Sequence, residues 1–296
     1  MSEWESTFQS WGQAPGVTEQ AKCENAERAI RKGIGASSTL SGRNIKVFAQ
    51  GSYRNRTNAP GDSDVDVCIL CTDTMYFNLP EGMTAGQFGL TTPADYRYDT
   101  FKKDVEGALV NYFGSASVRR GSKAFDIHEN TYRVDSDAIA CFEYRRYEKD
   151  GTYIQGTAFI PDGISTFIIN WPEQNYNNGV AKNDQTGRRF KAVVRILKQL
   201  RMDMAEAGLA VASKIPSYLL ECLVWNVPNE GFGHDTLTED VRYCIAWLWN
   251  NTRTDEQCKE WGEINELKYL FHPVQPWTRD QVNEFLDRAW KYVGFE

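Results

Sequence analysis

Apolar side chains recur with a helical period in the last third of the chain. They fall at Phe190, Val193, Val194, Leu197, Leu200 and Met204, which corresponds to positions i, i+3, i+4, i+7, i+10 and i+14. This spacing places them on one face of a long helix that begins after Gln185. Similar patterns predict further helices over Ser217 to Asn226, Thr238 to Asn250 and Thr278 to Lys291.

The first 170 residues show a different pattern, with short apolar runs separated by turn residues. One helix is predicted from Val17 to about Gly33 or Gly35, and another from Tyr96 to Phe113. Strands are predicted over 44–50 and 64–70, and short strands recur between 117 and 169. We therefore predict an α/β fold, with a sheet-bearing core over residues 1–180, a helical second lobe over 181–296, and an active site in the cleft between them.

Charge and targeting signals narrow the class of protein. The 296 residues include 33 Lys and Arg against 40 Asp and Glu, a net charge of -7. Proteins that bind long nucleic acid usually carry a basic surface. Because this chain is acidic overall, we expect no constitutive nucleic-acid binding. Residues 1–10 lack a basic and apolar leader, and the longest apolar run, Tyr243 to Trp249, is far short of the ~20 residues of a membrane helix. We expect a cytoplasmic protein without membrane association.

The seven cysteines agree with a reducing compartment, since their number is odd and no secretion signal accompanies them. Cys68 and Cys71 have the spacing of a zinc knuckle, but they lie on a predicted strand. Positions i and i+3 of a strand face opposite sides and chelate poorly, so we interpret both as core residues.

The segment Gln50 to Val67, QGSYRNRTNAPGDSDVDV, carries the most informative chemistry. A predicted strand ends at Gln50, Gly51 permits a tight turn, and Ser52 stands where a short helix can begin. Backbone N–H groups at such a place favour an anion, and the serine hydroxyl adds a further donor. This local pattern is typical of a phosphate-binding turn.

Two aspartates follow this turn. Asp64 and Asp66 are two residues apart on the next predicted strand, so their carboxylates share one face. Their mutual repulsion favours a hard divalent cation, and Mg²⁺ is usually held by one or two carboxylates together with substrate phosphates. The alternative is a polar turn with two solvated aspartates, but the preceding Gly-Ser turn favours a nucleoside triphosphate with metal.

A metal pair for in-line phosphoryl transfer needs a further carboxylate. Asp135 and Asp137, in TYRVDSDAIACFEYRRY, are the candidates. They have the same strand parity, so spacing alone does not choose between them, and a surface strand pair is an equal alternative for this segment taken alone.

The segment QGSYRNRTNAPGDSDVDVCIL resembles the Gly-Ser and Asp-x-Asp signature of DNA polymerase β-type nucleotidyltransferases. Within these it is similar to the bacterial cGAS/DncV-like nucleotidyltransferases, clade E. The stretches DSDAIACFEYRRY, INWPEQNYNNGVAKNDQTGRRFKAVVRILKQLR and KIPSYLLECLVWNVPNEGFG support this resemblance, which covers the chain from about Ile45 to Asn250. Members of this family make cyclic oligonucleotide signals, so a polymerase β-type core with a helical second lobe is implied.

The resemblance also implies individual roles. Two Mg²⁺ ions, for which Mn²⁺ can substitute, would be held by the first two aspartates of the signature and a third before a short aliphatic run. Phosphate contacts would come from the Gly-Ser turn and from two residues of the helical lobe, and one tyrosine would stack on a base. The residues so assigned are Asp64, Asp66 and Asp137 for metal, Gln50, Gly51, Ser52, Lys198 and Ser217 for phosphates, and Tyr218 for the base.

The residues alone leave these helical-lobe roles open. Lys191, Arg195 and Lys198 form a basic stripe turned away from the apolar face, for which a solvated helix surface is the alternative. Ser217 follows Pro216 at a helix start, where it is either an anion donor or a simple cap. Tyr218 stands at the same helix start, where a core position is the alternative to base stacking.

Asn170 ends the apolar run before Trp171 and Pro172. Its amide offers an acceptor and a pair of donors, which match the N–H and carbonyl of uracil but also pair with adenine. The alternative is structural, because an Asn at the end of a strand often forms hydrogen bonds within a turn. The resemblance links an Asn at this place in clade E to pyrimidine use. It therefore implies that UTP, with ATP as a second substrate, is joined into cyclic di-UMP or cyclic UMP-AMP.

The expected function is thus metal-dependent synthesis of a cyclic dinucleotide by a monomeric enzyme. The family implies anti-phage signalling, in which a separate effector reads the product. A linear or monoadduct nucleotidyltransferase and an inert nucleotide-binding sensor are the alternatives, and retention of all three carboxylates argues against the sensor.

Overall fold

One mixed sheet of seven strands organises the first half of the computed structural model, which describes residues 3–59 and 64–295 of the chain. The strands run β1-β2-β5-β4-β3, with β6 pairing to β5 and β7 to β6, and only β2 and β5 are parallel. Their bounds are β1 Ile45–Ala49, β2 Val65–Asn78, β3 Val118–Arg120, β4 Phe125–Ile127, β5 Ser136–Tyr147, β6 Tyr153–Phe159 and β7 Ile168–Asn170.

Helices precede, interrupt and follow the sheet. They are α1 Glu3–Trp11, α2 Val17–Gly35, α3 Gly51–Asn55, α4 Tyr98–Phe113, α5 Pro172–Gln185, α6 Arg189–Glu206, α7 Ser217–Asn226, α8 Leu237–Asn251, α9 Asp255–Cys258 and α10 Arg279–Val293. Short 3₁₀ turns lie at Ala85–Phe88, Ser115–Ser117, Ala212–Lys214 and Asn229–Gly231.

The chain divides into two compact units. The sheet unit contains residues 17–54 and 64–173, and the helical unit contains residues 3–16, 55–59 and 174–295. The expected boundary at residue 180 therefore differs from this division in three places, because α1, the short segment 55–59 and residues 174–180 belong to the helical unit.

The core of the sheet unit forms around the long strand β5. Helix α4 packs on it through Phe101, whose ring stacks on Phe142 with centroids 5.2 Å apart. The Tyr98 hydroxyl donates to the carbonyl of Ala140 at 2.9 Å, which ties the start of α4 to the same strand. This packing buries one face of β5 under a helix, and Asp137 and Glu143, which have the opposite strand parity to Phe142, lie on the other face.

The core of the helical unit forms around α6. The predicted apolar face from Phe190 to Met204 is buried, and α6 contacts α1, α7, α8 and α10. Helix α1 joins this core because Phe8 is fully buried and the carboxylate of Glu5 accepts hydrogen bonds from Thr238 N at 2.8 Å and Thr238 Oγ1 at 2.6 Å. An N-terminal helix with such contacts sits with the helical unit and not with the sheet.

Most predicted elements are confirmed, and α7 has the predicted bounds. Strand β2 runs eight residues past its predicted end, through an irregularity between Cys71 and Met75. Helices α1 and α5 were not predicted, since α1 is short and the sequence of α5, PEQNYNNGVAKNDQ, has little apolar character to show a period. All seven cysteines are buried with free thiols, which confirms the interpretation of Cys68 and Cys71 as core residues.

In the part of the chain that the structure describes, none of the helices combines the length and the apolar character that a membrane crossing requires.

Candidate active site

Three aspartates lie in one row across the sheet. Asp66 on β2 pairs in register with Asp137 on the parallel strand β5, and Asp137 pairs with Asp126 on the antiparallel strand β4. Residues that pair directly across strands project from the same face of a sheet. We call this surface, which carries Asp66, Asp137 and Asp126, the aspartate face.

The predicted phosphate-binding turn adjoins this row. Gln50 follows β1 and donates its backbone N–H to the carbonyl of Asp66 at 2.8 Å. Gly51 begins α3 with a φ of +66°, and a Cβ placed there would stand 2.2 Å from Oδ2 of Asp66. Only glycine fits at this position, because a side chain would collide with the carboxylate and the backbone is left-handed. Ser52, half-buried, is the second residue of this helix. Residues 60–63, which follow in the chain before Asp64, lie outside the described residues.

The pKa of Asp137 reflects burial and several nearby carboxylates. Burial, the charge of Asp126 and a side-chain hydrogen bond to it raise the pKa of Asp137 to about 6. The charges of Asp64 and Asp135 act in the same direction, so four acidic side chains are near one another. A carboxyl group in this setting gains from a nearby cation, since like charges directly opposite in a sheet are destabilising.

Asp135 occupies a different setting from Asp137. It precedes β5, and its carboxylate accepts a hydrogen bond from the backbone of Glu129 at 2.6 Å, while its own carbonyl accepts from Val65 N at 3.1 Å. It is held by these loop contacts and does not pair with Asp66. Of the two candidates for a third carboxylate, Asp137 is thus the one in register with the Asp-x-Asp pair.

The donor set of the aspartate face suits a hard divalent ion, because Mg²⁺ prefers carboxylate oxygens. Across the described residues, however, no group of three or more acidic, histidine or cysteine side chains is arranged to hold a metal ion by itself. The two observations fit a site in which one or two carboxylates hold the ion and substrate phosphates complete its coordination.

A second polar row crosses the same sheet further along β5. Asn170, the last residue of β7, pairs with Thr157 on β6, which pairs with Glu143 on β5. Glu143 has the strand parity of Asp137, so this row lies on the aspartate face. Its carboxylate accepts from Arg145 at 3.0 Å and from Gln155 at 2.8 Å, so its charge is already compensated. Asn170 itself is half-buried.

The remaining predicted site residues belong to the helical unit. The basic stripe of α6 is not a solvated surface, because Lys191, Arg195 and Lys198 are all buried. Lys198 is fully buried, and its Nζ lies 2.5 Å from Oε1 of Glu221 on α7. Arg195 donates from Nε to the carbonyl of Gly12 at 2.9 Å. The solvated-face alternative is therefore wrong, and the assignment of Lys198 to a triphosphate stays a prediction.

Ser217 and Tyr218 open α7, with Pro216 as the residue before the helix. Ser217 is half-buried. The hydroxyl of Tyr218 donates to Oε2 of Glu263 at 3.0 Å, and burial raises the pKa of this phenol well above its usual value. The ring is thus fixed in place and only half-buried, and its stacking on a base stays a prediction.

Sequence reasoning missed two members of the aspartate face. Asp126 lies in the alternating run Phe125-Asp126-Ile127, whose outer residues are buried, and this alternation was the available signal. Arg119 on β3 binds Asp126 through Nε at 2.8 Å. Strands of three residues are too short for periodicity to reveal which face carries function.

Comparisons with known proteins agree with this picture of the fold. Residues 177–294 match the model of the cGAS/DncV-like nucleotidyltransferase C-terminal helical domain. A cyclic dipyrimidine nucleotide synthase CdnE of Legionella pneumophila is 47% identical over 98% of this chain and 98% of its own length. Another cyclic dipyrimidine nucleotide synthase CdnE, from Cecembia lonarensis, is 44% identical over 98% of both chains.

A solved structure is similar at the level of the whole chain. It is the CdnE c-UMP-AMP synthase of Rhodothermus marinus with Apcpp and Upnpp, which superposes with a TM-score of 0.85 at 32% identity and covers 98% of this chain and 97% of that one. The similarity includes both the sheet-bearing part and the helical part of the chain.

Proposed function

Because the chain belongs to the CdnE group of the cGAS/DncV-like nucleotidyltransferases, we propose that it joins nucleoside triphosphates into a pyrimidine-containing cyclic dinucleotide, cyclic di-UMP or cyclic UMP-AMP. The observation that carries this proposal is the aspartate face itself. It places Asp66 beside Asp137 and, on the same side of the same sheet, a polar row that ends at Asn170. Two relatives that make cyclic dipyrimidine nucleotides share nearly half of the sequence.

The first part of the proposal concerns metal. Asp64, Asp66 and Asp137 would hold two Mg²⁺ ions, or Mn²⁺ in their place, together with the phosphates of the substrate. When bound, such ions lower the pKa of an attacking hydroxyl and stabilise the leaving oxygens of an in-line displacement. Burial and the neighbouring carboxylates together raise the pKa of Asp137, and this supports the assignment, since a cation favours the ionised form.

The second part concerns the bond that forms. A ribose hydroxyl oxygen attacks the α-phosphorus of a second nucleotide, the bond from this phosphorus to the pyrophosphate breaks, and pyrophosphate leaves. The hydroxyl proton passes to the carboxylate of Asp137. A second transfer in the opposite sense closes the ring.

The third part concerns the base. The amide of Asn170 would pair with the N–H and a carbonyl of uracil. Its place on the aspartate face supports this role, because the same face carries the carboxylates assigned to the reacting phosphate.

The wider setting is also proposed. The enzyme would act as a monomer in the cytoplasm and use UTP, with ATP as a second substrate. A separate effector would bind its product in an anti-phage response. The net charge of -7 supports independence from nucleic acid.

Product analysis tests the proposal against a linear or monoadduct nucleotidyltransferase. With labelled triphosphates, Mg²⁺ and no polynucleotide primer, we expect a product that resists phosphatase, because a ring has no terminal phosphate. A phosphatase-sensitive ladder would contradict cyclisation. Absence of any pyrophosphate release would favour an inert nucleotide-binding sensor.

A further inference from the structure

A buried hydroxyl on the aspartate face has no protein partner. Thr157 on β6 is only 2% exposed, and its Oγ1 makes no hydrogen bond with any described residue. Buried side-chain hydroxyls are normally paired, since an unpaired one loses its contact with water without compensation. The position of Thr157 therefore calls for a partner from outside the chain.

The sheet register places this hydroxyl beside Asn170. Thr157 and Asn170 are directly paired in the antiparallel ladder of β6 and β7, so their side chains stand next to each other on one face. The strands approach closely here, because a Cβ at Gly156 would lie 2.8 Å from the carbonyl oxygen of Asn170 and 2.8 Å from the ring of Trp171. Glycine at this position lets Trp171 cover the opposite face and holds Asn170 against Thr157.

The neighbour on the other side does not satisfy the hydroxyl. Glu143 pairs with Thr157 in the ladder of β5 and β6, but its carboxylate is occupied by Arg145 and by Gln155. The Thr157 hydroxyl thus lies between a compensated carboxylate and the amide of Asn170, with its own hydrogen-bonding capacity unused.

We infer that Thr157 is a second base-selecting residue, whose hydroxyl donates a hydrogen bond to a carbonyl oxygen of the pyrimidine base that Asn170 binds. This inference rests on the proposed function. A uracil edge presents an N–H between two carbonyl oxygens, and one amide can engage the N–H and only one of those oxygens. A neighbouring hydroxyl donor serves the other oxygen. Adenine presents an amino group and ring nitrogens in place of these carbonyl oxygens, so the hydroxyl would lose its acceptor at this position, which is a basis for discrimination.

Valine and serine variants separate the hydroxyl from the shape of the side chain. Thr157→Val removes the donor at nearly constant shape, and Thr157→Ser retains it. Thr74→Val is the matched control, because Thr74 is also buried in the sheet unit but its hydroxyl donates to the Tyr96 carbonyl at 3.0 Å. Each protein is given equimolar UTP and ATP with Mg²⁺, and the ratio of uridylate to adenylate in the product is measured by mass spectrometry.

We expect Thr157→Val to lower this ratio by roughly 3- to 10-fold, the effect of one net hydrogen bond. Thr157→Ser should stay within about twofold of wild type, and Thr74→Val should leave the ratio unchanged. The melting temperature of Thr157→Val should not fall, since an unpaired hydroxyl is removed, whereas that of Thr74→Val should.

An unchanged ratio in Thr157→Val overturns the inference, whether or not the overall rate falls, because a purely structural role would alter rate and stability without altering base choice. The proposed function fails in a different way. A wild-type product without uridylate contradicts it and the inference together, whereas a uridylate-containing wild-type product with an unchanged ratio in Thr157→Val overturns the inference alone.

Discussion

The two units of the chain differ in how they hold the charges assigned to chemistry. In the sheet unit, Asp137 faces other carboxylates, and its pKa rises to about 6. In the helical unit, Lys198 has an opposite charge in Glu221, and both side chains are buried. The first arrangement favours the arrival of a cation, and in the second the two charges compensate each other. We conclude that the aspartate face is organised for a ligand. Lys198, in contrast, is part of the core of the helical unit as well as a candidate triphosphate contact.

Two hydroxyls, one from each unit, also differ in how they are held. The hydroxyl of Tyr218 in the helical unit is held by Glu263, whereas the hydroxyl of Thr157 in the sheet unit has no partner among the described residues. An unpaired buried hydroxyl and crowded like charges both cost stability, so their occurrence together on the aspartate face is better explained by function than by folding.

The largest expected effect is loss of catalysis on removing charge from the aspartate face. Asp64→Asn and Asp66→Asn keep the side-chain shape but remove a metal ligand, so pyrophosphate release with Mg²⁺ should nearly vanish while the circular dichroism spectrum stays unchanged. Asp287→Asn, an exposed change on α10, is the control. If Asp64→Asn kept more than about a tenth of the wild-type rate, less than about 1.4 kcal/mol of transition-state stabilisation would be lost, and the metal role would be wrong.

In the helical unit the largest effect should be on stability. Glu221→Gln leaves the ammonium of Lys198 buried without its counter-charge, and the free energy of unfolding should fall by about 3–5 kcal/mol in urea titrations. The same Asp287→Asn control breaks the exposed pair with Lys291 and should cost about 0–1 kcal/mol.

A double variant sharpens this result. Lys198→Met combined with Glu221→Leu removes both buried charges and should recover most of the lost stability. If this double variant also recovered full pyrophosphate release, the assignment of Lys198 to the triphosphate would fail.

A smaller effect is expected on base choice. Asn170→Ser should relax the preference for UTP over purine nucleotides by roughly 5- to 150-fold, because a bidentate pair is lost, while the total rate survives. The measurement is the nucleotide ratio in products from a mixture of four triphosphates. An unchanged ratio would mean that Asn170 does not select the base and has only a structural role at the end of the strand.

The smallest effect is a pH dependence of stability in the metal-free protein. The pKa of Asp137 is higher in the folded chain, about 6, than its usual value near 4, so the folded state binds more protons in this window. The contribution of Asp137 to the free energy of unfolding should therefore decrease as pH rises from about 4 to about 6. Urea unfolding with chelator at several pH values should show this slope in wild type and a weaker one in Asp137→Asn. Equal slopes would mean that folding does not raise the pKa of Asp137.

Patterns in the sequence predicted those features that depend on the periodicity of a single helix or strand. The bounds of α7 and the buried face of α6 followed from apolar spacing, because each helix packs against a single core. Asp64 and Asp66 were expected on one face since a strand alternates with a period of two; Asp66 lies on β2 and Asp64 directly precedes it, so their shared face stays a prediction.

Features that depend on contacts between distant segments were not predictable in this way. The stripe of Lys191, Arg195 and Lys198 is typical of a solvated face, yet all three are buried. Glu221 on a later helix compensates Lys198, and the carbonyl of Gly12 accepts from Arg195. Asp126 lies beside Asp137 because of the register of two strands, which the sequence does not show. The sequence likewise gives no sign that the hydroxyl of Thr157 is buried without a hydrogen-bond partner. The choice between Asp135 and Asp137 likewise required knowledge of which one pairs with β2.

The mass of the wild-type product tests the central claim most directly, namely that the aspartate face directs cyclic, pyrimidine-containing dinucleotide synthesis. The enzyme is incubated with equal amounts of ATP, GTP, CTP and UTP and Mg²⁺, treated with phosphatase, and analysed by mass spectrometry. The account predicts a phosphatase-resistant product with the mass of cyclic di-UMP or cyclic UMP-AMP, absent when Asp66→Asn replaces the wild type. A product built only from ATP and GTP, or one that phosphatase degrades, would contradict it.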